Sequence, residues 1–347
     1  MTKAQKRYFL LSQMEKNEEG THLTSAFLLT GAFQTERVEE IFQKIVDSQE
    51  SLRSCYALQD GELMLKVQKH CKIEVKQEAG NESDVQKYIK DFIKPFDLFR
   101  APLMHVKVIQ LSDKKYLLLS DLYHGIADGY SCTLITKQFM DLYEGKDIKI
   151  KSRTCQECVE IQQSYFATPE YEEGIKYWKS ELTGQDYGIV YPLDYQRTEK
   201  NDHMGNGIRE TVNHQTLVAL RKLAKDMKCT LYHVLYGTFA MLLFKAAKKK
   251  EFVIGTPIIT RGIDLSETVG YLTNTVVIKN KIEDSWTLEK YLEETKIRCA
   301  QSVAYNKIPF TDVVSLCEDD LRENRNPIFD TMFVYENGEE RVNHIAD

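Results

Sequence analysis

A mixed α/β fold in two lobes is predicted for this chain, on three observations. Its 347 residues exceed a typical single domain. Segments with helical and with strand-like spacing of apolar residues follow one another in both halves. No short-period repeat or low-complexity tract interrupts the pattern, and a 42% hydrophobic, 28% charged composition suits a soluble globular enzyme.

The elements follow in chain order. Val38 to Val46 carries apolar residues at helical spacing. Glu62–Val67 and Met104–Ile109 read as strands, the second with alternating character, and Asp84 to Ile93 between them reads as a helix. Lys115 to Leu122 is rich in large apolar residues and is expected to be a largely buried strand. After Gly129, the spacing of Leu134, Ile135, Phe139 and Leu142 predicts a helix. Cys155 to Thr183 is a polar helical stretch, ending in Tyr177-Trp178-Lys179-Ser180-Glu181-Leu182, with Gly184 placed to terminate it. It is expected to connect the lobes. Leu217, Leu220, Leu223 and Met227 mark an amphipathic helix, and Leu231 to Ala247 a more hydrophobic, buried one. Phe252–Gly255 and Thr275–Ile278 read as strands with Gly262 and Gly270 in the loop between, Leu288–Tyr305 as a helix and Phe329–Tyr335 as a last strand.

Composition also excludes functions. The net charge is -6, with Lys and Arg scattered, so no basic face for nucleic acid is expected. The one basic run, Lys248-Lys249-Lys250, reads as a solvated helix end. Met1 to Arg7 is charged without an apolar region behind it, and the apolar stretch from Leu235 to Phe244 is too short to span a bilayer. A cytosolic protein with no membrane partner is expected. The eight cysteines (Cys55, Cys71, Cys132, Cys155, Cys158, Cys229, Cys299, Cys317) show no framework spacing; Cys155-x2-Cys158 has no second pair, so reduced structural thiols are expected.

Chemistry concentrates in Tyr123-His124-Gly125-Ile126-Ala127-Asp128-Gly129, where the buried strand gives way to a loop and then a helix. An imidazole is suited to moving or holding a proton near neutral pH. Asp128, four residues on, can orient that ring or lock the loop, with Gly129 free to take a positive φ. Other motifs fail. Gly145-Lys146 lacks the upstream glycine of a phosphate loop, Met140 standing there; Gly205-Asn206-Gly207 lacks the third glycine of a dinucleotide fingerprint, Glu210 standing there. No G-x-S-x-G elbow is present. His233 falls inside the buried-helix pattern and reads as a core residue, while His22, His70, His105, His203, His214 and His344 have no ligand-like spacing, so no metal site is expected.

With these set aside, an ordered series of segments remains. Ala4-Gln5-Lys6-Arg7 opens it as A-Q-x-R, Glu50-Ser51-Leu52-Arg53-Ser54 follows as E-x-L-R-S, and then comes the loop from Tyr123 to Gly129. Tyr177-Trp178 with Leu182 and Tyr191-Pro192-Leu193-Asp194 stand in mid-chain, and Gly255-Thr256-Pro257 with Arg261 and Val269-Gly270-Tyr271-Leu272-Thr273-Asn274-Thr275 come later. Asn306-Lys307-Ile308-Pro309-Phe310 and Arg325-Asn326-Pro327-Ile328-Phe329-Asp330 close the series over nearly the whole chain. By these segments, in this order, the chain resembles the condensation domain of nonribosomal peptide synthetases, in the chloramphenicol-acetyltransferase-like superfamily. They are similar in turn to that family's A-Q-x-R motif, its E-x-L-R-T segment, its H-H-x-x-x-D-G motif except at the first position, its lobe-linking helix with the extended segment after it, and its G-T-P…R and G-x-x-x-N-T pair.

The resemblance implies an α/β (α+β sandwich) fold of two acetyltransferase-like lobes in a V around a tunnel. The lobes would cover 1–152 and 185–347, joined by a helical segment 153–184. The second lobe would be incomplete, because family members continue past the R-N-P motif. It implies amide formation between a donor thioester and an acceptor aminoacyl thioester, both on the phosphopantetheine arms of peptidyl-carrier proteins. An adenylation domain would be a neighbour, and the domain would bind no cofactor of its own. His124 is implied as the catalytic residue, as base or as positioner of the amine. Asp128 is implied to pair with Arg53 in support of the loop. Tyr123 replaces the first His of the motif; Gly129 and Asn274 are implied to line the substrate path. A silent recruitment module, a standalone acyltransferase and an epimerising relative are the alternatives.

Overall fold

The structure, a computed structural model, describes residues 1–15, 19–31, 33–183, 187–189, 191–195, 205–317 and 326–336. The chain divides into two compact units, residues 1–165 with 261–273, and residues 166–260 with the described residues from 274 onward. Each carries helices and strands, so the mixed α/β expectation holds.

The first unit contains α1 (Lys3–Glu15), β1 (His22–Thr30), α2 (Thr35–Ser48), β2 (Ser54–Gln59), β3 (Glu62–Val67), β4 (Val75–Ala79), α3 (Val85–Phe92), β5 (Met104–Ser112), β6 (Lys115–Tyr123), α4 (Gly129–Tyr143) and α5 (Cys155–Phe166), with Phe166 itself falling in the second unit. Its main sheet runs β1-β6-β5-β4, antiparallel except for the parallel β4/β5 pair. A separate β2/β3 hairpin turns at Asp60-Gly61, both at positive φ, as a two-residue turn between twisted strands requires.

β6 is apolar at successive positions because both of its faces are covered. Tyr116, Leu118 and Leu122 join the core that α2 fills with Val38, Ile41, Phe42, Ile45 and Val46, and α4 with Ile135 and Phe139. Leu117 and Leu119 face the other way, onto Ile109 and Phe92 of α3. Each of these side chains is worth about 1.5–3 kcal/mol of burial, which makes β6 a rigid support for the loop that follows it.

The second unit contains α6 (Pro169–Leu182), α7 (His214–Asp226), α8 (Leu231–Ala247), β7 (Glu251–Ile259), β8 (Thr273–Lys281), α9 (Leu288–Ala304) and α10 (Phe310–Ser315), with Thr273 itself falling in the first unit. β7 and β8 pair, and their Phe252, Ile254 and Ile278 pack with Tyr236, Ala240 and Leu243 of α8 and with Leu292 of α9.

Several expectations change. The described part of the segment 153–184 divides between the two units at Tyr165 and Phe166. Cys155 N–H is held by the Glu50 carboxylate, which ties α5 to the first unit, whereas Tyr171 of α6 donates to Asp312 and Tyr177 stacks on Tyr305 in the second. The strand expected over Phe329–Tyr335 reduces to one parallel bridge, Met332 to Gly255. His233 is not a core residue: with Thr230 it forms the capping box of α8, its Nδ1 accepting the Thr230 N–H at 3.1 Å. Gly184, His203, Arg325, His344 and the chain's last residues from Asn337 lie outside the described residues. Among those described, no single helix is long and apolar enough to cross a membrane. Nor do three His, Cys, Asp or Glu side chains gather there as a metal-ligand set.

Candidate active site

The site is built where β6 ends. Tyr123 N–H donates to the Leu103 carbonyl at 3.0 Å, and His124 N–H to the Thr21 carbonyl at 2.8 Å. The backbone then turns, Ile126 N–H returning to the Tyr123 carbonyl. Ile126 and Ala127 are fully buried. Ser51 Oγ donates to the Ile126 carbonyl at 2.6 Å and Gln5 Nε2 to the Gly125 carbonyl at 3.4 Å, so the A-Q and E-S-L-R segments both hold the loop. Gly125 is required: a Cβ there would lie 2.3 Å from the Tyr123 ring and 2.5 Å from the Tyr56 hydroxyl.

His124 is partly buried, its ring 5.2 Å from that of Tyr8 and 5.3 Å from that of Tyr271. Its Nδ1 lies 3.0 Å from the Ala127 carbonyl oxygen. A carbonyl only accepts, so Nδ1 carries the hydrogen, and Nε2 is the lone-pair nitrogen of the neutral ring. The loop therefore presents an imidazole of defined tautomer, able to take a proton or accept a hydrogen bond at Nε2.

Asp128 is the N-cap of α4, in extended conformation, its Oδ1 accepting Ser131 N–H at 2.9 Å and Ser131 Oγ–H at 2.8 Å. The same oxygen takes the Arg261 guanidinium at 2.7 Å; Oδ2 takes Leu272 N–H and Thr273 Oγ–H, each at 3.0 Å. The two charged side chains are 2% and 1% exposed, and Arg261 also donates to the Gly270 and Thr268 carbonyls. This corrects the expected pairing. Arg53 donates to the carbonyls of Gln68 and Lys69 instead, holding the end of β3, and it is Arg261 that neutralises Asp128. Asp128 thus fastens the His loop to residues 261–273, a contact that Gln49 extends by bonding Glu267 O and Val269 N at 2.9 Å each.

Tyr123 is 1% exposed, its hydroxyl 3.1 Å from that of Ser12 and its ring edge-on to Tyr8, Tyr56 and Phe96. Burial pushes its phenol above the ordinary value, so the group stays neutral and packs beneath the loop. Gly129 begins α4 without a positive φ, contrary to expectation, and a Cβ there would meet no protein atom within 4 Å. Its missing side chain leaves space open rather than relieving a clash. In the second unit, Asn274 spends its amide on backbone: Nδ2 donates to Asn306 O at 2.8 Å and Ile308 O at 2.6 Å, and Oδ1 accepts Phe310 N–H at 3.1 Å. It clamps the turn before α10, where the resemblance implies a lining role. Ser131, Gln49, Tyr271 and Thr273 carried no signal of their own in the sequence.

The family model for the condensation domain matches residues 1–345, and the chain belongs to that family. It is 31% identical over 343 residues to bacitracin synthase 1 and 29% identical over 338 residues to bacitracin synthase 3, both of Bacillus licheniformis, covering 97% of this chain in each case. The matched regions are 6% and 5% of those proteins, so the chain spans about a twentieth of these relatives. Among solved structures it is similar to the first condensation domain of the CDA synthetase, with a TM-score of 0.80 and 15% identity, over 99% of this chain and 83% of that one.

Proposed function

We propose that the chain is an acyltransferase that forms an amide bond between two thioesters delivered on phosphopantetheine arms. In the reaction the acceptor's α-amine nitrogen attacks the donor carbonyl carbon, the C–S bond breaks, and the products are an amide on the acceptor arm and a free donor thiol. The amine loses one proton and the leaving thiolate gains one. The observation that supports this reading is the fixed imidazole of His124, whose Nε2 can hold the attacking amine on line and take its proton. Asp128 with Arg261 supports that geometry, Tyr123 and Arg53 support it through packing and backbone bonds, and Gly129 keeps space open beside it. Donor and acceptor carrier proteins are the partners, an adenylation domain is the neighbour, and the cytoplasm is the setting. Membership of the condensation-domain family and the likeness to two bacitracin synthases support all three.

Tyr123 in the first position of the His motif favours a second reading, a silent module that recruits partners, because a buried phenol cannot serve as an imidazole near pH 7. The test that separates the two is direct. Donor and acceptor carriers are loaded with aminoacyl-phosphopantetheine, and the acceptor arm is followed by mass spectrometry. The proposed reaction yields a dipeptidyl arm at a rate at least roughly 10²-fold above the protein-free control. A folded protein giving no product above that control would establish the silent reading.

A further inference from the structure

A second histidine, its side chain buried, lies one strand from the site. His22 Nδ1 is 2.6 Å from Asp121 Oδ2, with the two side chains 4% and 0% exposed, and Thr24 Oγ donates to Asp121 Oδ1 at 2.9 Å. A carboxylate oxygen facing an imidazole nitrogen at this distance takes the ring's hydrogen, so Nδ1 of His22 is the donor. The antiparallel register sets Thr24 opposite Asp121 and His22 opposite Tyr123. The next residue along each strand is Thr21 or His124, and these two make the 2.8 Å bond that fixes the His124 backbone. Phe96 stacks on the His22 ring at 5.1 Å and meets Tyr123 edge-on at 6.3 Å, so the His22 ring is held on its face as well.

We infer that His22 is a positioning residue for His124: by donating to Asp121 it holds the start of β1 against the end of β6, and so sets where the Thr21 carbonyl receives the His124 amide. Its effect on rate rests on the proposed role of His124; its effect on geometry does not. A buried carboxylate linking two strands fixes their offset more tightly than the backbone ladder alone, since a slip would leave it without a donor.

The experiment compares wild type with His22→Phe, His22→Asn and Thr24→Val, the fold of each verified by circular dichroism. Phenylalanine keeps the stack on Phe96 and removes the donor, whereas asparagine places an amide donor near the position of Nδ1. In single turnover, His22→Phe is expected to lower the rate constant roughly 10- to 100-fold, with half-saturation by the acceptor carrier unchanged within about 2-fold. His22→Asn and Thr24→Val are expected to stay within about 3-fold of wild type. Hydrogen exchange of the His124 amide reads the same geometry without turnover, and is expected to quicken at least about 10-fold in His22→Phe alone. Should His22→Phe leave the carboxylate too costly to fold, His22→Phe/Asp121→Asn carries the same expectations. Wild-type rate and wild-type His124 exchange in His22→Phe would overturn the inference, as would an Asn variant as impaired as the Phe one. Quickened exchange in His22→Phe together with an unimpaired His124→Ala would leave the inference standing and remove the chemistry assigned to His124.

Discussion

Asp128→Ala is expected to destabilise the first unit by about 3–5 kcal/mol, because it strands the 2%-exposed Arg261 guanidinium without its counter-charge. The same change removes the acceptor from Ser131 N–H, Ser131 Oγ–H, Leu272 N–H and Thr273 Oγ–H, and so loosens both the start of α4 and residues 261–273. Two compact units need not unfold together, so urea unfolding should be read beside amide exchange in 124–135 and 261–273. Arg261→Ala should behave alike, and the double variant should cost less than the two changes summed, since both disrupt one contact. Arg53→Ala serves as the contrast. Its guanidinium bonds neutral carbonyls, and a loss of about 1 kcal/mol is expected. Equal losses from Arg53→Ala and Arg261→Ala would contradict the assignment of Asp128's partner.

His124→Ala is expected to lower the single-turnover rate of amide formation by roughly 10²–10⁴-fold, the range that a positioned acid-base or hydrogen-bonding group supplies. The ring is partly buried and bonds protein only through Nδ1 to Ala127, among its described hydrogen bonds, so truncation should leave the fold in place. His124→Gln is a sharper probe. Its amide can accept one hydrogen bond but cannot take a proton. A glutamine variant near wild-type rate would assign positioning to His124, whereas one as slow as alanine would assign proton transfer. An alanine variant at wild-type rate would remove His124 from the chemistry.

Much of this was legible in the residues because the physics involved is local. β6 could be read from the apolar run Tyr116–Leu119 with Leu122 beyond it, and the structure covers the strand on both faces. α2 could be read from the spacing of Val38, Ile41, Phe42, Ile45 and Val46, all of them buried. β4 could not, since Val75 alone of its five residues is buried and an edge strand has no alternation to show. The partner of Asp128 could not either. Arg53 and Arg261 are both single arginines in motif segments, and the choice between them depends on how a loop 133 residues away in sequence folds back. His233 stands at the third position of its helix and caps it, a use that apolar periodicity conceals. The Phe329–Tyr335 segment has strand composition, yet only Met332 finds a bridge partner.

The proposed chemistry depends on one ring being held in one form, with hydrogen on Nδ1 and the lone pair on Nε2. A long-range proton–nitrogen correlation spectrum of the His124 side chain, recorded with the ring neutral, reads that form directly. The bond to Ala127 predicts the Nδ1–H tautomer as the dominant species in wild type. A dominant Nε2–H signal would leave no lone pair facing an incoming amine, and would contradict the chemistry assigned to this loop.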